Sequence, residues 1–503
     1  MFGPSKAATG PAAGEASVIS FREPSAAVIA NGDAIAAGLG KILPRGAVIA
    51  DEIGRRAFDT DVFSAYRRTP LAVVLPSSTR EVSAVLKFCS ENGVKVVPRG
   101  AGTSLSGGAI PTEDAVVVCL SRMNRVLDVN LDARAARVEA GATNLAISQA
   151  TAPGRFFYAP DPSSQYACSI GGNVATNAGG ARCLKYGVTT QNVLGVKMVL
   201  MDGEIVEFGG AAPSPMGYDF LALIAGSEGQ LGVVTEVVVR ILPLPETSRP
   251  MLLGFSSAQA AASCVAAIIG AGIIPAAIEF MDGLAVEVCE TFAHAGYPLD
   301  AEALLIVEVE GSPGEAEELI ERVTAIARSC APSLIRVSQS PEEAAAIWKG
   351  RKAAFSAMGR ISDYLCMDGV IPLSRLPETL VRTKQIARSH GLRAANIFHA
   401  GDGNLHPLIM YDANDEDERR RAEACGAEIL KACVDAGGCL TGEHGVGLEK
   451  RELMLEQFFR ADLAQQMRVK RAFDPRWLLN PDKVFPLAIQ DSFLRESQHD
   501  HGR

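Results

Sequence analysis

The stretch that decides the reading is Pro98-Arg-Gly-Ala-Gly-Thr-Ser-Leu-Ser-Gly-Gly108. It follows the β-branched run Val94–Val97 and so leaves the end of an expected strand. Four of its eleven residues are glycine and three carry hydroxyls. Glycine permits positive φ and close backbone approach, and successive exposed amides form an anion-binding concavity. That density favours a phosphate cradle over an ordinary tight turn. The cradle is not a Walker loop, because Gly108 stands where lysine is needed after the Gly102–Gly107 spacing. It is a poor Rossmann fingerprint as well, since Leu105 occupies the third glycine position after Gly100 and Gly102. The sequel Gly107-Gly-Ala-Ile-Pro-Thr112 cannot open a helix cleanly. A cradle without a helix behind it points to a different nucleotide fold.

Working outward, Leu71–Leu75 reads as a buried strand. Ser77 or Ser78 caps an amphipathic helix through Val82, Val85, Leu86 and Phe88, which completes a β-α-β unit. Strands are expected at 115–120, 126–129 and 136–139, and a helix at 144–150. Between Pro160 and Gly180 lies a second small-residue stretch, Ser169-Ile-Gly-Gly-Asn-Val-Ala-Thr-Asn-Ala-Gly-Gly180. Ile170, Val174, Ala175 and Ala178 interleave it too regularly for a solvated linker, so it reads as a second wall of the same ligand site. Strands 193–201 and 205–208 flank an Asp202-Gly203 turn, and a helix spans 218–225. A third glycine cluster, Gly226-Ser-Glu-Gly-Gln-Leu-Gly232, then enters strand 233–241. Pro243 and Pro245 mark a boundary. Beyond them strands at 251–255, 277–281 and 303–310, with helices at 258–270 and 314–328, suggest a ferredoxin-like β-α-β-β-α-β domain. The polar, Pro-rich segment 473–486 closes the chain, and the tail after about Ala488 is expected to fray.

The totals set bounds. A chain of 503 residues with 48% apolar content holds roughly two to four domains. A net charge of −10 argues against nucleic-acid binding through phosphate contacts. No unbroken apolar run is long enough for a transmembrane helix. Met1–Gly14, rich in Ala, Gly and Pro, lacks an apolar core and reads as a disordered leader rather than a signal peptide. The eleven cysteines contain no Cys-x-x-Cys, so they read as reduced cytoplasmic thiols and the chain as lacking an iron–sulfur cluster of its own.

Three of the seven histidines fall in unusual surroundings. His399-Ala-Gly-Asp-Gly-Asn-Leu-His406 follows an apolar strand, and Thr441-Gly-Glu-His-Gly-Val-Gly447 follows a helix and a glycine pair. His399, His406 and Glu443 make a divalent-metal set suited to Zn, Mn or Fe, with Asp402 as a group supporting the histidines. The competing reading is a hydrogen-bonded histidine pair in a polar loop, and spacing alone does not choose between them. Beside the metal set, His444 can act as a base near pH 7. Arg351, in Trp348-Lys-Gly-Arg-Lys352, is a candidate carboxylate clamp, although a solvated helix face is the commoner role for such a cluster.

Together these motifs resemble the vanillyl-alcohol-oxidase/PCMH flavoproteins with a C-terminal FAD-linked oxidase domain. Within that family they look most like the glycolate oxidase flavin subunits, beside the D-lactate and D-2-hydroxyglutarate dehydrogenases. Trp348–Phe355, Cys366-Met-Asp-Gly-Val-Ile-Pro372 and Asn480-Pro-Asp-Lys483 complete the match, which runs from about residue 50 to 486. The resemblance implies an α+β fold. After a leader with helices (1–49) come a two-subdomain FAD-binding domain (50–245), a cap domain (246–440), a C-terminal segment touching cofactor and substrate (441–486) and a tail (487–503). It implies noncovalent FAD. Arg99, Gly100, Ala101, Gly102, Thr103, Ser104, Gly107 and Gly108 would hold the pyrophosphate. Ribose and ring would be lined by Pro160, Asp161, Ser169, Gly171, Gly172, Asn173, Thr176, Asn177, Gly179, Gly180, Tyr186, Gly187, Glu228, Gly229, Gly232, Val233 and Val234, with Asn480 near the ring.

The implied reaction takes a D-2-hydroxy acid to the 2-oxo acid. His444 accepts the hydroxyl proton, Arg351 holds the carboxylate and hydride goes to flavin N5. Electrons would pass to an iron–sulfur subunit and quinone, with a second flavin-domain subunit in the assembly. The protein would be cytoplasmic, or peripheral on the inner membrane face through those partners. One departure bears on substrate. Relatives acting on 2-hydroxyglutarate carry a threonine and a lysine where this chain has Phe355 and Cys366. Neither can pair with a second carboxylate, so a short acid, glycolate or D-lactate, is expected. The alternatives are a stand-alone D-lactate dehydrogenase, a metal-dependent hydrolase and a non-catalytic subunit that keeps only the fold.

Overall fold

A computed structural model describes residues 19–211 and 217–500; the expected leader, Met1–Gly14, lies outside them. In the first layer, strands Ala72–Val74 and Lys95–Arg99 pair in parallel on either side of Ala115–Cys119, and Val48–Ile49 closes one edge antiparallel. The parallel order follows from the β-α-β unit, whose helix Thr79–Glu91 carries the chain across the sheet. Ser78 Oγ caps that helix by accepting the Glu81 amide at 3.3 Å. Its apolar stripe, Val82, Val85, Leu86 and Cys89, packs into the sheet.

The second layer is an antiparallel five-stranded sheet in the order Val126–Asn130, Ala135–Glu139, Val233–Arg240, Val193–Val199, Ile205–Gly209. Val233–Arg240 buries every second side chain, as a pleated strand with one core face does. Against it packs a helix absent from the sequence expectation, Ile170–Thr176, which sets Ile170 and Val174 among Val237 and Val239. Gly171 and Gly172 masked it. The signal was Ser169, whose Oγ accepts the Gly172 amide at 3.2 Å.

The cap carries the expected ferredoxin-like arrangement. Thr247–Phe255, Ala277–Asp282, Ala303–Gly311 and Leu334–Val337 stand in the order fourth, first, third, second, each antiparallel to its neighbour, with helices Ala258–Gly270 and Pro313–Ser329 between them. One correction is needed: the second and third strands do not follow directly, because helix Gly283–Ala293 fills their connection. Asp282 caps it by accepting the Ala285 amide at 3.1 Å. Val286 and Cys289 then pack with Ile347 and Ala354 of helix Pro341–Met358, the helix that bears Arg351. Arg393–His399 extends the sheet beside Ala277–Asp282, in a register that sets Glu279 opposite His399.

The chain finally returns to the first layer. Val96 donates its amide to the Leu478 carbonyl at 2.8 Å, and Asn480 donates to the Val96 carbonyl at 2.7 Å. The tail does not fray at Ala488. Leu487–Asp500 is helical, and Ile489 and Phe493 are buried with Trp477 and Phe485. The four-residue spacing of those two apolar side chains puts them on one face of the helix. Phe493→Ala is expected to cost about 3 kcal/mol of stability, read as a lowered urea midpoint; an unchanged midpoint would show that the tail helix contributes nothing. Among the described residues, no helix is long and apolar enough to cross a membrane.

Candidate active site

The three glycine stretches and the histidine cluster line one cleft of about 380 Å³. Close backbone approach assembles it. Gly100 lies against Ser169, so that a Cβ there would sit 2.0 Å from Ser169 Oγ. Gly102 (φ +74°) turns over the Arg99 guanidinium, which donates to the Thr60 carbonyl at 2.8 Å. Among the described residues, no hydrogen bond uses the backbone amides of Ala101, Gly102, Thr103, Ser104 or Leu105. A run of free amides facing a cleft is what an anion requires.

The loops are tied to the C-terminal turns. Asn480 Nδ2 donates to the Glu228 carbonyl at 2.6 Å and the Gly108 carbonyl at 3.3 Å. Its Oδ1 is buried without a partner. The Glu228 carboxylate accepts the Val446 and Gly447 amides at 2.7 and 2.8 Å. Ser106 accepts the Leu448 amide on its carbonyl at 2.9 Å and donates from Oγ to the His444 carbonyl at 3.0 Å.

The histidine cluster is built from three segments. His399, at the end of its strand, donates from Nδ1 to Glu279 Oε1 at 2.7 Å. His406 donates from Nδ1 to the Met367 carbonyl at 3.3 Å. These bonds turn both Nε2 atoms toward Glu443 Oε1, at 3.4 and 3.0 Å. His444 stacks on His406, with ring centroids 5.0 Å apart and planes 5° from parallel. Its Nδ1 is buried with no partner. The turn holding Glu443 and His444 is fixed by the buried Asp368 carboxylate, whose Oδ2 accepts the amides of Gly442 (3.0 Å), Glu443 (3.2 Å) and His444 (2.8 Å).

Burial disfavours charge here, and the neighbours decide which groups keep it. At His399 burial is outweighed by the Glu279 and Glu443 carboxylates, and its pKa rises well above the ordinary histidine range. At Glu443 burial is outweighed by the two imidazoles, which hold it well below the carboxylate range. His444 is different: burial pushes it down to about 4, against the pull of Asp368, so it is neutral at pH 7.

Of the residues expected to bind cofactor, Arg99 to Ser104, Gly108, Ser169, Gly171, Gly172, Asn173, Thr176, Glu228, Gly229, Gly232, Val233, Val234 and Asn480 line the cleft. Gly107, Pro160, Asp161, Asn177, Gly179, Gly180, Tyr186 and Gly187 stand behind the wall. Asn177 accepts the Thr190 amide at 2.9 Å, Asp161 accepts the Arg182 amide at 3.1 Å, and the Tyr186 hydroxyl donates to Glu310 of the cap. Gly179 makes room for Glu443, whose Oε2 would lie 2.8 Å from a Cβ there.

Arg351 stands beside the cleft rather than in its wall, and two further expectations need correction. Arg351 is 3% exposed and outside the lining; its Nε donates to Glu279 Oε2 at 2.7 Å. In this arrangement it holds Glu279, and through it His399, while Lys352 faces the cleft. Asp402 makes no hydrogen bond to the histidines among the described residues, since its carboxylate accepts the Asn404 amide in its own turn at 3.2 Å and meets His399 only through charge; Glu279 and the Met367 carbonyl hold the rings. Phe355 lines the cleft as expected, but Cys366 lies behind it. Glu279 was missed in the sequence because an acid inside an apolar strand carries no local motif.

Residues 70–209 match the FAD binding domain family and residues 244–484 the C-terminal domain family of FAD linked oxidases. The chain belongs to the FAD-linked oxidases. Like the rest of this family it is an FAD-dependent oxidoreductase. It is 50% identical over 430 residues to glycolate oxidase subunit GlcD of Escherichia coli, covering 85% of this chain and 86% of that one. It is 34% identical to a D-lactate dehydrogenase of Archaeoglobus fulgidus, covering 82% and 90%. In fold it superposes on a 4-ethylphenol oxidase from Gulosibacter chungangensis with a TM-score of 0.78 at 17% identity, covering 92% of this chain and 98% of the other. The free amides of 101–105, the orphaned Asn480 Oδ1 and the cleft between the two layers fit the FAD this oxidase family carries. Gly100→Ala is expected to yield protein with little bound flavin, because the new methyl displaces Ser169 or the loop itself. A normal flavin-to-protein absorbance ratio would contradict that role.

Proposed function

We propose that the protein oxidises a short D-2-hydroxy acid, glycolate or D-lactate, to the 2-oxo acid. The observation that carries this reading is the single cleft shared by the flavin loops and by His399, His406, Glu443 and His444. Bound FAD, held noncovalently, supplies a two-electron acceptor. His444 takes the substrate hydroxyl proton; it is neutral at pH 7, and its Nδ1 has no partner in the protein. His399 Nε2, His406 Nε2 and Glu443 would hold a divalent ion, Zn, Mn or Fe, whose charge favours ionisation of that hydroxyl. Their ligand atoms lie within 4.8 Å of one another, and the Nδ1 bonds fix the tautomer that ligation needs.

Lys352 at the cleft wall offers the substrate carboxylate a cation. Phe355 narrows the same wall and offers nothing to a second carboxylate, which favours the short acids. The name of the Escherichia coli relative, a subunit, supports an assembly with other chains; in it electrons would leave to a second flavin-domain subunit, an iron–sulfur subunit and quinone. Such an assembly would sit in the cytoplasm or on the inner membrane face.

Bleaching of the flavin spectrum by a panel of D- and L-2-hydroxy acids tests the proposal. Glycolate or D-lactate is expected to bleach it rapidly. Efficient reduction by D-2-hydroxyglutarate with none by glycolate would sink the short-acid reading. Rates unchanged after verified metal removal would reject the ion. Purification in catalytically complete form without partners would favour the stand-alone D-lactate dehydrogenase.

A further inference from the structure

We infer that Cys366, His406 and His444 form a second, sulfur-containing metal position, selective for a soft divalent cation such as cadmium, which shares His406 with the His399–His406–Glu443 set. One ligand atom from each of the three residues lies within 4.8 Å of the other two. The fold brings them together by independent means. Cys366 ends the strand Asp363–Cys366 and pairs in register with Leu408, two residues beyond His406. His444 arrives on the turn held by Asp368 and lies flat against His406.

Two of the three residues carry an atom of ligand type that the fold uses weakly or not at all. Cys366 makes one weak hydrogen bond, from Sγ to the Met367 carbonyl at 3.6 Å. His444 Nδ1 is buried and makes none. Neighbouring ligands around a tetrahedral ion stand about 3.5 Å apart, so closing the set takes side-chain shifts of about 1 Å. A thiolate with two imidazoles prefers a soft cation, whereas two imidazoles with a carboxylate suit a harder one. Binding forms a metal–sulfur bond, replaces water on the ion and releases the thiol proton to solvent; no electrons move.

The position itself does not depend on the proposed reaction. Its consequence does, resting on His444 as the base: the ion would occupy the proton acceptor and disable turnover. The test titrates chelator-treated, FAD-loaded protein with cadmium chloride and follows the near-ultraviolet thiolate-to-cadmium charge-transfer band. The band is expected to saturate at one equivalent and to be lost in Cys366→Ser, with visible flavin absorbance reporting the fold of both proteins. No band at one equivalent, or an undiminished band in Cys366→Ser, overturns the position. Should Cys366→Ser lose its flavin, His444→Asn carries the test. Cadmium affinity weaker by about ten-fold or more is expected there, and an unchanged affinity overturns the proposal. Saturation accompanied by loss of turnover supports both the position and its consequence. Saturation with full turnover supports the position and overturns the inhibitory consequence, pointing against His444 as base.

Discussion

Replacing His444 by asparagine is expected to lower kcat by about 100- to 10,000-fold, the contribution of a well-placed general base. Asparagine preserves much of the contact with His406 but cannot hold the proton. The turn stays in place, because Asp368 grips it through backbone amides that the substitution does not alter. Flavin content is therefore expected to match the parent, and the loss should appear in the rate of flavin reduction under anaerobic single-turnover conditions. The pH profile gives a second check. With His444 held down to about 4, the free enzyme keeps its base neutral across the physiological range. kcat/KM should decline only as pH falls toward that value. A loss smaller than ten-fold would remove His444 from proton transfer.

Glu279→Ala is expected to be as disruptive by another route. The substitution leaves the Arg351 guanidinium buried without its carboxylate, which costs about 3–5 kcal/mol. It also frees His399 to rotate or change tautomer, which weakens divalent-ion binding by about 10- to 100-fold. Glu279→Gln keeps the volume and separates the two effects. Burial raises the pKa of Glu279, but Arg351 and His399 outweigh it and hold the group below its ordinary range. Such a carboxylate stabilises the fold above its unfolded pKa, and the contribution is lost as pH falls through the lower folded value. The stability gap between the parent and Glu279→Gln should therefore be full near neutrality and shrink on acidification, as read from urea midpoints. Kinetics decide the place of Arg351. A fall in kcat with KM little changed in Glu279→Gln supports Arg351 as a positioning residue, whereas a rise in KM alone would return it to the substrate.

The flavin side of the site was legible in sequence because glycine is legible. Gly100 and Gly102 are required where backbone meets side chain at close range, and a failed Rossmann spacing is visible one residue at a time. The histidine and glutamate set was legible as a list of residues; that it would face the same cleft came from the family resemblance and not from spacing, since His399 and His406 come from the cap sheet and its following turn, and Glu443 from a separate turn. Three features escaped for physical reasons. Glu279 is a strand residue whose partner lies 120 positions away in the facing register. Helix Ile170–Thr176 is weak by propensity and exists through its cap and its packing. The orientation of Arg351 could not follow from its charge, because a helix carries one face to solvent and another to the core, and Gly350 and Ala354 beside it are both buried.

The contacts through Glu228 and Asn480 make the two halves of the cleft one thermodynamic object. Glu228 belongs to a flavin loop by its backbone and to the turn that carries His444 by its carboxylate. Whatever orders one therefore orders the other. Linkage makes that reciprocal: if cofactor strengthens ion binding, the ion must strengthen cofactor binding by the same factor. With a divalent ion of the proposed kind in the cleft, chelation should then speed flavin release, and flavin-free protein should bind such an ion more loosely.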